Sequence, residues 1–134
     1  MTDMPPLTAI GTIRSTLRSL DEAPRQGDEG APDAWVDIDP QFQPALAGLR
    51  DGDDIVLITW LDRADRRVLT TRPRNDPALP LAGVFATRSP DRPNPLGLHR
   101  VTIRAIDGLH LRVGPLEALD GTPVVDVKIA WGSC

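Results

Sequence analysis

The stretch RVTIRAIDGLHLRV, residues 100–113, decides the fold. Two runs in which apolar and polar residues alternate, RVTIRAI (100–106) and LHLRV (109–113), flank Asp107-Gly108. Alternation with period two marks a strand with one buried face, and an Asp-Gly pair between two such runs is a strong hairpin signal. A second Asp-Gly pair, Asp120-Gly121, precedes PVVDVKIAW (123–131), which reads as the last strand. Upstream, DIVLITW (54–60) is a continuous apolar run, as expected for a strand covered on both faces. LTAIGTIR (7–14), AWVDID (34–39), RRVLTTR (66–72) and LAGVFAT (81–87) read as further strands. Only PQFQPALAGLR (40–50) has helical spacing, with Phe42, Leu46 and Leu49 on one face and Pro44 near its start, where proline is tolerated. Seven or eight short strands without βαβ alternation predict an all-β protein, a small barrel or tight sandwich of about seven strands with one short helix.

The chain has 134 residues, 40% of them hydrophobic, which is the size of one domain with a real core. No apolar run reaches membrane-spanning length, and the start, MTDMPPLTAIG, lacks the basic and apolar regions of a secretory signal. The single cysteine, Cys134, leaves no internal disulfide and no cysteine cage, and with only His99 and His110 beside it no metal site is expected. The expectation is a cytoplasmic protein without metal or membrane. Residues 22–33 (EAPRQGDEGAPD) read as a loop. Dinucleotide fingerprint, P-loop and Gly-x-Ser-x-Gly elbow are all missing, so the usual α/β cofactor sites are excluded.

The formal charge is −4, which by itself speaks against a polyanionic partner. The distribution reverses that reading. Residues 60–100 hold eight arginines against four aspartates, a local charge of +4 within an acidic protein. A local basic patch binds a polyanion even when the total is negative. The plainer alternative is a set of solvated arginines.

Within this basic third lies ATRSPDRPNPLGLHRV (86–101), with three prolines and three arginines. Proline fixes φ, removes an amide donor and pushes its predecessor toward extended geometry, so the run reads as a stiff loop presenting Arg88, Arg92 and Asn94. Stiff loops bearing guanidinium groups suit carboxylates and phosphates, since little entropy is lost on binding. Two other segments combine a turn with polar groups: APRQG (23–27) and LDGTPVVD (119–126). His110 alternates with leucines and reads as a surface residue; His99 borders the proline loop, where the plainer reading is structural. Asp53 and Asp54 read as a solvated loop.

IGTIRS, APRQG, GVFATRSPDRPNPLGL and DGTPVVDVK, in this order, resemble the TrmO/TsaA-like family over nearly the whole chain, from Ile10 to about Lys128. The resemblance implies a small β-barrel that pairs as a homodimer, with S-adenosylmethionine near the dimer interface. Family members with known activity methylate N6 of threonylcarbamoyladenosine beside the anticodon of tRNA. Carried over by motif, Pro24, Arg25, Gln26, Arg88, Leu98, Asp120, Gly121, Thr122 and Pro123 line the cofactor site. Asp126 and Asp120 are the candidates to accept the N6 proton. Arg66, Arg72, Arg74, Arg92 and Asn94 are expected on the tRNA side, and Trp60 or Trp131 would supply any base stacking.

Two departures accompany the resemblance. Many members carry a His-Gln pair where this chain has Leu61 and Asp62, and in some of them the pair helps line the cofactor pocket. Longer relatives add a C-terminal domain, so the expectation is one barrel domain over residues 1–134. Two alternatives follow: a methyltransferase for a smaller acceptor, or a module that binds S-adenosylmethionine or RNA without catalysis.

Overall fold

The computed structural model describes residues 3–19, 30–73 and 76–130. The alternating runs become strands of one closed antiparallel barrel. Its members are β1 (Gly11–Arg14), β2 (Ala34–Ile38), β3 (Asp54–Trp60), β6 (Leu96–Asp107), β7 (His110–Gly114) and β8 (Pro123–Ile129). They close in the order β1-β2-β7-β6-β3-β8 and back to β1. Two further strands, β4 (Thr70–Thr71) and β5 (Ala82–Gly83), pair outside the barrel. The expected small all-β barrel is therefore the observed fold, closed by six strands. Among the described residues no helix is long and apolar enough to cross a membrane.

Period two sorts each strand. Ala34, Val36 and Ile38 of β2, Ile55 and Leu57 of β3, and Leu111 and Val113 of β7 point inward and are buried. Ile13, Val101, Ile103, Leu116, Ala118 and Val124 complete the core. Closure leaves no long unpaired edge. In the β6–β7 hairpin Asp107 faces His110, so the turn residues are Gly108 and Leu109, one position later than the Asp-Gly pair implied. Gly108 takes φ +59°, which glycine adopts without steric cost.

Three elements are shorter than their patterns. RRVLTTR contributes only Thr70–Thr71, and LAGVFAT only Ala82–Gly83 before a 3₁₀ turn, Val84–Ala86. LTAIGTIR enters the barrel only at Gly11. Between positions 73 and 95 the chain carries six prolines, each lacking a ladder donor, so this excursion cannot extend a sheet. The predicted helix is a 3₁₀ segment, Pro40–Leu46. Pro44 has no N–H for the carbonyl four residues back, which blocks the α-helical ladder. Phe42, Leu46 and Leu49 nonetheless pack together against the core, as their spacing required. The proline loop also ends sooner than its composition implied, because β6 starts at Leu96.

Strand direction decides where function can sit. The ends of β1, β3 and β7 and the starts of β2, β6 and β8 all meet at one rim of the barrel. The excursion over residues 61–95 and the connection from β7 to β8 both emerge there.

Candidate functional site

The register sets one row across the outer wall near this rim: Leu98 on β6, Ile58 on β3 and Asp126 on β8 are successive partners. With strands about 4.8 Å apart, the row spans about 10 Å. Leu98 is half exposed. The row lies beside a shallow hollow of about 340 Å³ lined by Leu7, Ala9, Trp60, Pro123 and Val125. Leu61 and Asp62 leave β3 at the same rim, with the Leu61 amide donating to the Pro95 carbonyl at 2.8 Å. Thus Leu98, Leu61, Asp62, Pro123 and Asp126 are brought together.

Residues 120–123 reach the rim through β1. The Asp120 amide donates to the Leu17 carbonyl (2.7 Å), the Gly121 amide to Ile13 (2.8 Å), and the Ile13 amide to Thr122 (2.9 Å). Gly121 turns with φ +86°. Asp120 Oδ1 accepts from the Ser15 amide at 3.0 Å, and Oδ2 lies 3.6 Å from Arg18. Both its oxygens are thereby engaged in holding the turn. Asp126 is less committed: among the described residues its Oδ1 accepts only the neighbouring Val127 amide, at 2.8 Å. Pro24, Arg25, Gln26 and Arg74 lie outside the described residues.

The arginines of the excursion divide by what they touch. Arg88 is exposed and has no partner among the described residues. Arg66 lies over the Trp60 ring at 5.1 Å and donates to the Pro93 carbonyl (2.7 Å) and to Asn94 Oδ1 (3.3 Å). Arg72 donates to the Leu79 carbonyl at 2.7 Å but stays exposed. Arg92 differs. Its guanidinium donates to the carbonyls of Val84 and Thr87, and its Nε is buried without a partner among the described residues. Arg92 therefore shapes the loop that carries Arg88 rather than facing outward.

Sequence reading missed three residues here. Phe85, on the 3₁₀ turn shaped by Arg92, is 88% exposed, whereas Trp60 is half-buried under Arg66. Thr59, buried, and Glu117, part-buried, form a linked polar set with His99 at the rim. Exposure of Phe85 left no trace in pattern, because its neighbours Val84 and Ala86 are apolar as well; Thr59 sat unnoticed inside an apolar run.

The opposite flank of the barrel carries a separate charge cluster. Asp37 accepts from Arg14 Nε at 2.9 Å and NH2 at 3.0 Å, and lies 2.7 Å from His110 Nδ1. The Arg14 hydrogen bonds, with help from His110, hold the Asp37 carboxyl below the usual carboxylate range. His110 is exposed, as its alternation implied. Among the described residues no group of three or more His, Cys, Asp or Glu side chains is placed to hold a metal ion.

Comparison with known proteins returns one family: the model of the tRNA-methyltransferase O N-terminal domain matches residues 12–131. A probable S-adenosyl-L-methionine-binding protein of Archaeoglobus fulgidus is 42% identical over 122 residues, covering 91% of this chain and 33% of that protein. A probable S-adenosyl-L-methionine-binding protein of Pyrococcus horikoshii is 44% identical over 99 residues, 71% of each chain. A crystal structure of TrmO from Pseudomonas aeruginosa superposes with TM-score 0.75 at 30% identity, covering 96% of this chain and 56% of that one. The chain thus spans about a third of the Archaeoglobus relative and just over half of the TrmO structure.

Proposed function

This chain belongs to the tRNA-methyltransferase O N-terminal domain family, and from that premise we propose that it is an S-adenosylmethionine-dependent methyltransferase acting on N6 of threonylcarbamoyladenosine in tRNA. The observation that carries the reading is that Leu98, Leu61, Asp62 and residues 120–123 lie at one rim, the rim from which the excursion bearing Arg88 emerges. S-adenosylmethionine offers an apolar and adenine body, a carboxylate and an activated methyl group on sulfur. The residues present fit it. Leu98, Ile58 and the hollow at Trp60 and Pro123 give apolar surface, and Arg88, exposed and without a partner among the described residues, is a guanidinium of the kind that pairs with a carboxylate through two parallel hydrogen bonds.

The chain's own work is positioning. Bound there, S-adenosylmethionine would supply the activated methyl group, and the chain's residues would orient the acceptor nitrogen and take up the N6 proton that it gives up. Asp126 is the better-placed acceptor for that proton, because both oxygens of Asp120 are engaged with Ser15 and Arg18. The rim holds cofactor and acceptor in line and excludes water.

Two features support the partners. Val56, Ile58 and Trp60 of β3 alternate with inward residues and are half-buried, next to Leu96 and Leu98, which are 40% and 50% exposed. An apolar outer wall beside the site suits a second copy of the chain, so the active unit is proposed to be a homodimer. The excursion supplies a net positive charge and the bare ring of Phe85, a combination suited to phosphates and an unstacked base. Titration calorimetry with S-adenosylhomocysteine tests the reading: binding that disappears in Arg88→Ala supports it, and no binding by the wild-type chain overturns it.

A further inference from the structure

One buried ionisable side chain at the rim has no part in the reaction just proposed. His99 is 6% exposed, with Nε2 at 2.7 Å from Thr59 Oγ1 and Nδ1 at 2.5 Å from Glu117 Oε1. The order hydroxyl, imidazole, carboxylate resembles a nucleophile with its base. Thr59 has no exposed surface, however, so no substrate reaches its hydroxyl. A different role must account for this linked set, of which Thr59 and His99 are buried in a mainly apolar interior, where leaving either unpaired is costly.

The connectivity supplies that role. His99 stands on β6 immediately after Leu98, and Thr59 on β3 is two residues before Leu61. Glu117 lies in the connection from β7 to β8, three residues before Asp120. Each partner of the imidazole is thus attached to a different segment of the proposed cofactor wall. Gly97 seals the arrangement: a Cβ there would stand 2.5 Å from Thr59 Oγ1 and 2.6 Å from His99 Nε2. With the carboxylate as acceptor, Nδ1 carries a hydrogen toward Glu117 while Nε2 meets the threonine hydroxyl.

We propose that His99 is the positioning residue of this rim, a single imidazole strut that fixes Leu98, the Leu61-Asp62 turn and the Asp120 turn relative to one another for cofactor binding. The inference rests on the rim being the cofactor site. Hydrogen bonds on two sides restrain the ring in direction as well as position, which an apolar side chain of equal size does not.

The test uses His99→Leu, which keeps bulk and removes both bonds, and Thr59→Val, which removes one bond without changing volume. His99→Asn is the conservative variant, since its amide nitrogen stands where Nδ1 does. S-adenosylhomocysteine affinity is measured at a temperature where circular dichroism shows each variant folded. Alongside it, hydrogen exchange is followed at the Leu61 amide (bonded to Pro95) and the Asp120 amide (bonded to Leu17), with the Ile38 amide (bonded to Leu109) as far-rim reference. The expected result is affinity lower by about tenfold in His99→Leu, a smaller loss in Thr59→Val and partial recovery in His99→Asn. Exchange at Leu61 and Asp120 should quicken while Ile38 stays protected. Unchanged affinity in folded His99→Leu and Thr59→Val overturns the proposal. A wild-type chain that binds no S-adenosylhomocysteine strikes the cofactor reading instead. In that case equal exchange at all three amides removes the strut too, and faster exchange confined to the rim retains it.

Discussion

Gly97→Ala is the substitution whose cost the structure sets most sharply. The added methyl would stand 2.5 Å from Thr59 Oγ1, 2.6 Å from His99 Nε2 and 3.1 Å from His99 Cε1. Neither neighbour is a loose side-chain end. Thr59 is fully buried and hydrogen-bonded to His99, which is itself tied to Glu117. Forcing a methyl into a packed core costs about 1–3 kcal/mol, and breaking a buried hydrogen bond leaves a group unpaired at about 1–3 kcal/mol more. The expected loss is therefore about 2–6 kcal/mol, a large share of the roughly 5–15 kcal/mol that holds a domain together. Equilibrium unfolding in urea measures it, provided the slope of free energy on denaturant is unchanged. Gly83→Ala is the control, because nothing lies within 4 Å of a Cβ there and its φ of −66° suits alanine. That variant should match wild type or gain a few tenths of a kcal/mol, about what a stiffer unfolded chain provides. Gly97→Ala within about 0.5 kcal/mol of wild type would refute the close packing around the imidazole, and with it the strut.

Other consequences follow from single contacts. Arg92→Ala should cost about 1–2 kcal/mol and weaken S-adenosylhomocysteine binding, because the guanidinium holds the carbonyls on either side of Phe85; Arg92→Lys, without the fork, should not restore it. Phe85→Ala should leave stability within about 0.5 kcal/mol of wild type yet lower affinity for an anticodon stem-loop by about 5- to 150-fold, with recovery in Phe85→Trp. The folded-state pKa of Asp37 is depressed, so its contribution is present above the unfolded value and lost as pH falls through the folded one. Asp37→Asn should accordingly lose up to about 1 kcal/mol at neutral pH and show a flatter fall of the urea midpoint below about pH 4. Light scattering on Trp60→Glu should show a shift toward monomer if β3 faces a second copy, since a charge in an apolar contact is costly.

What was legible in the sequence was the part written in period two. Residues 100–113 gave both strands of the hairpin, and the inward sets of β2 and β7 follow the alternation of their residues. The run DIVLITW misled in one respect: its outer residues Val56, Ile58 and Trp60 are only half-buried in the single chain, because an apolar outer wall and a buried one look the same in sequence. Between positions 61 and 95 local pattern lost to missing donors, and two expected strands shrank to two residues each. Side-chain roles depended on folds of the chain that no spacing encodes. Arg92 read as a surface cation until the carbonyls of Val84 and Thr87 were seen to hold it. The contact between Thr59 and His99 joins residues 40 apart, and only the pairing of β3 with β6 brings them together.

The most direct test of the central claim is methyl transfer from labelled S-adenosylmethionine to tRNA taken from cells that lack the N6-methyl modification, with nucleosides resolved by mass. A TrmO of the kind solved from Pseudomonas aeruginosa runs beside it as control. The account predicts a new methyl group on threonylcarbamoyladenosine that is lost with Arg88→Ala. No methylated nucleoside from this chain, beside a working control, would contradict it.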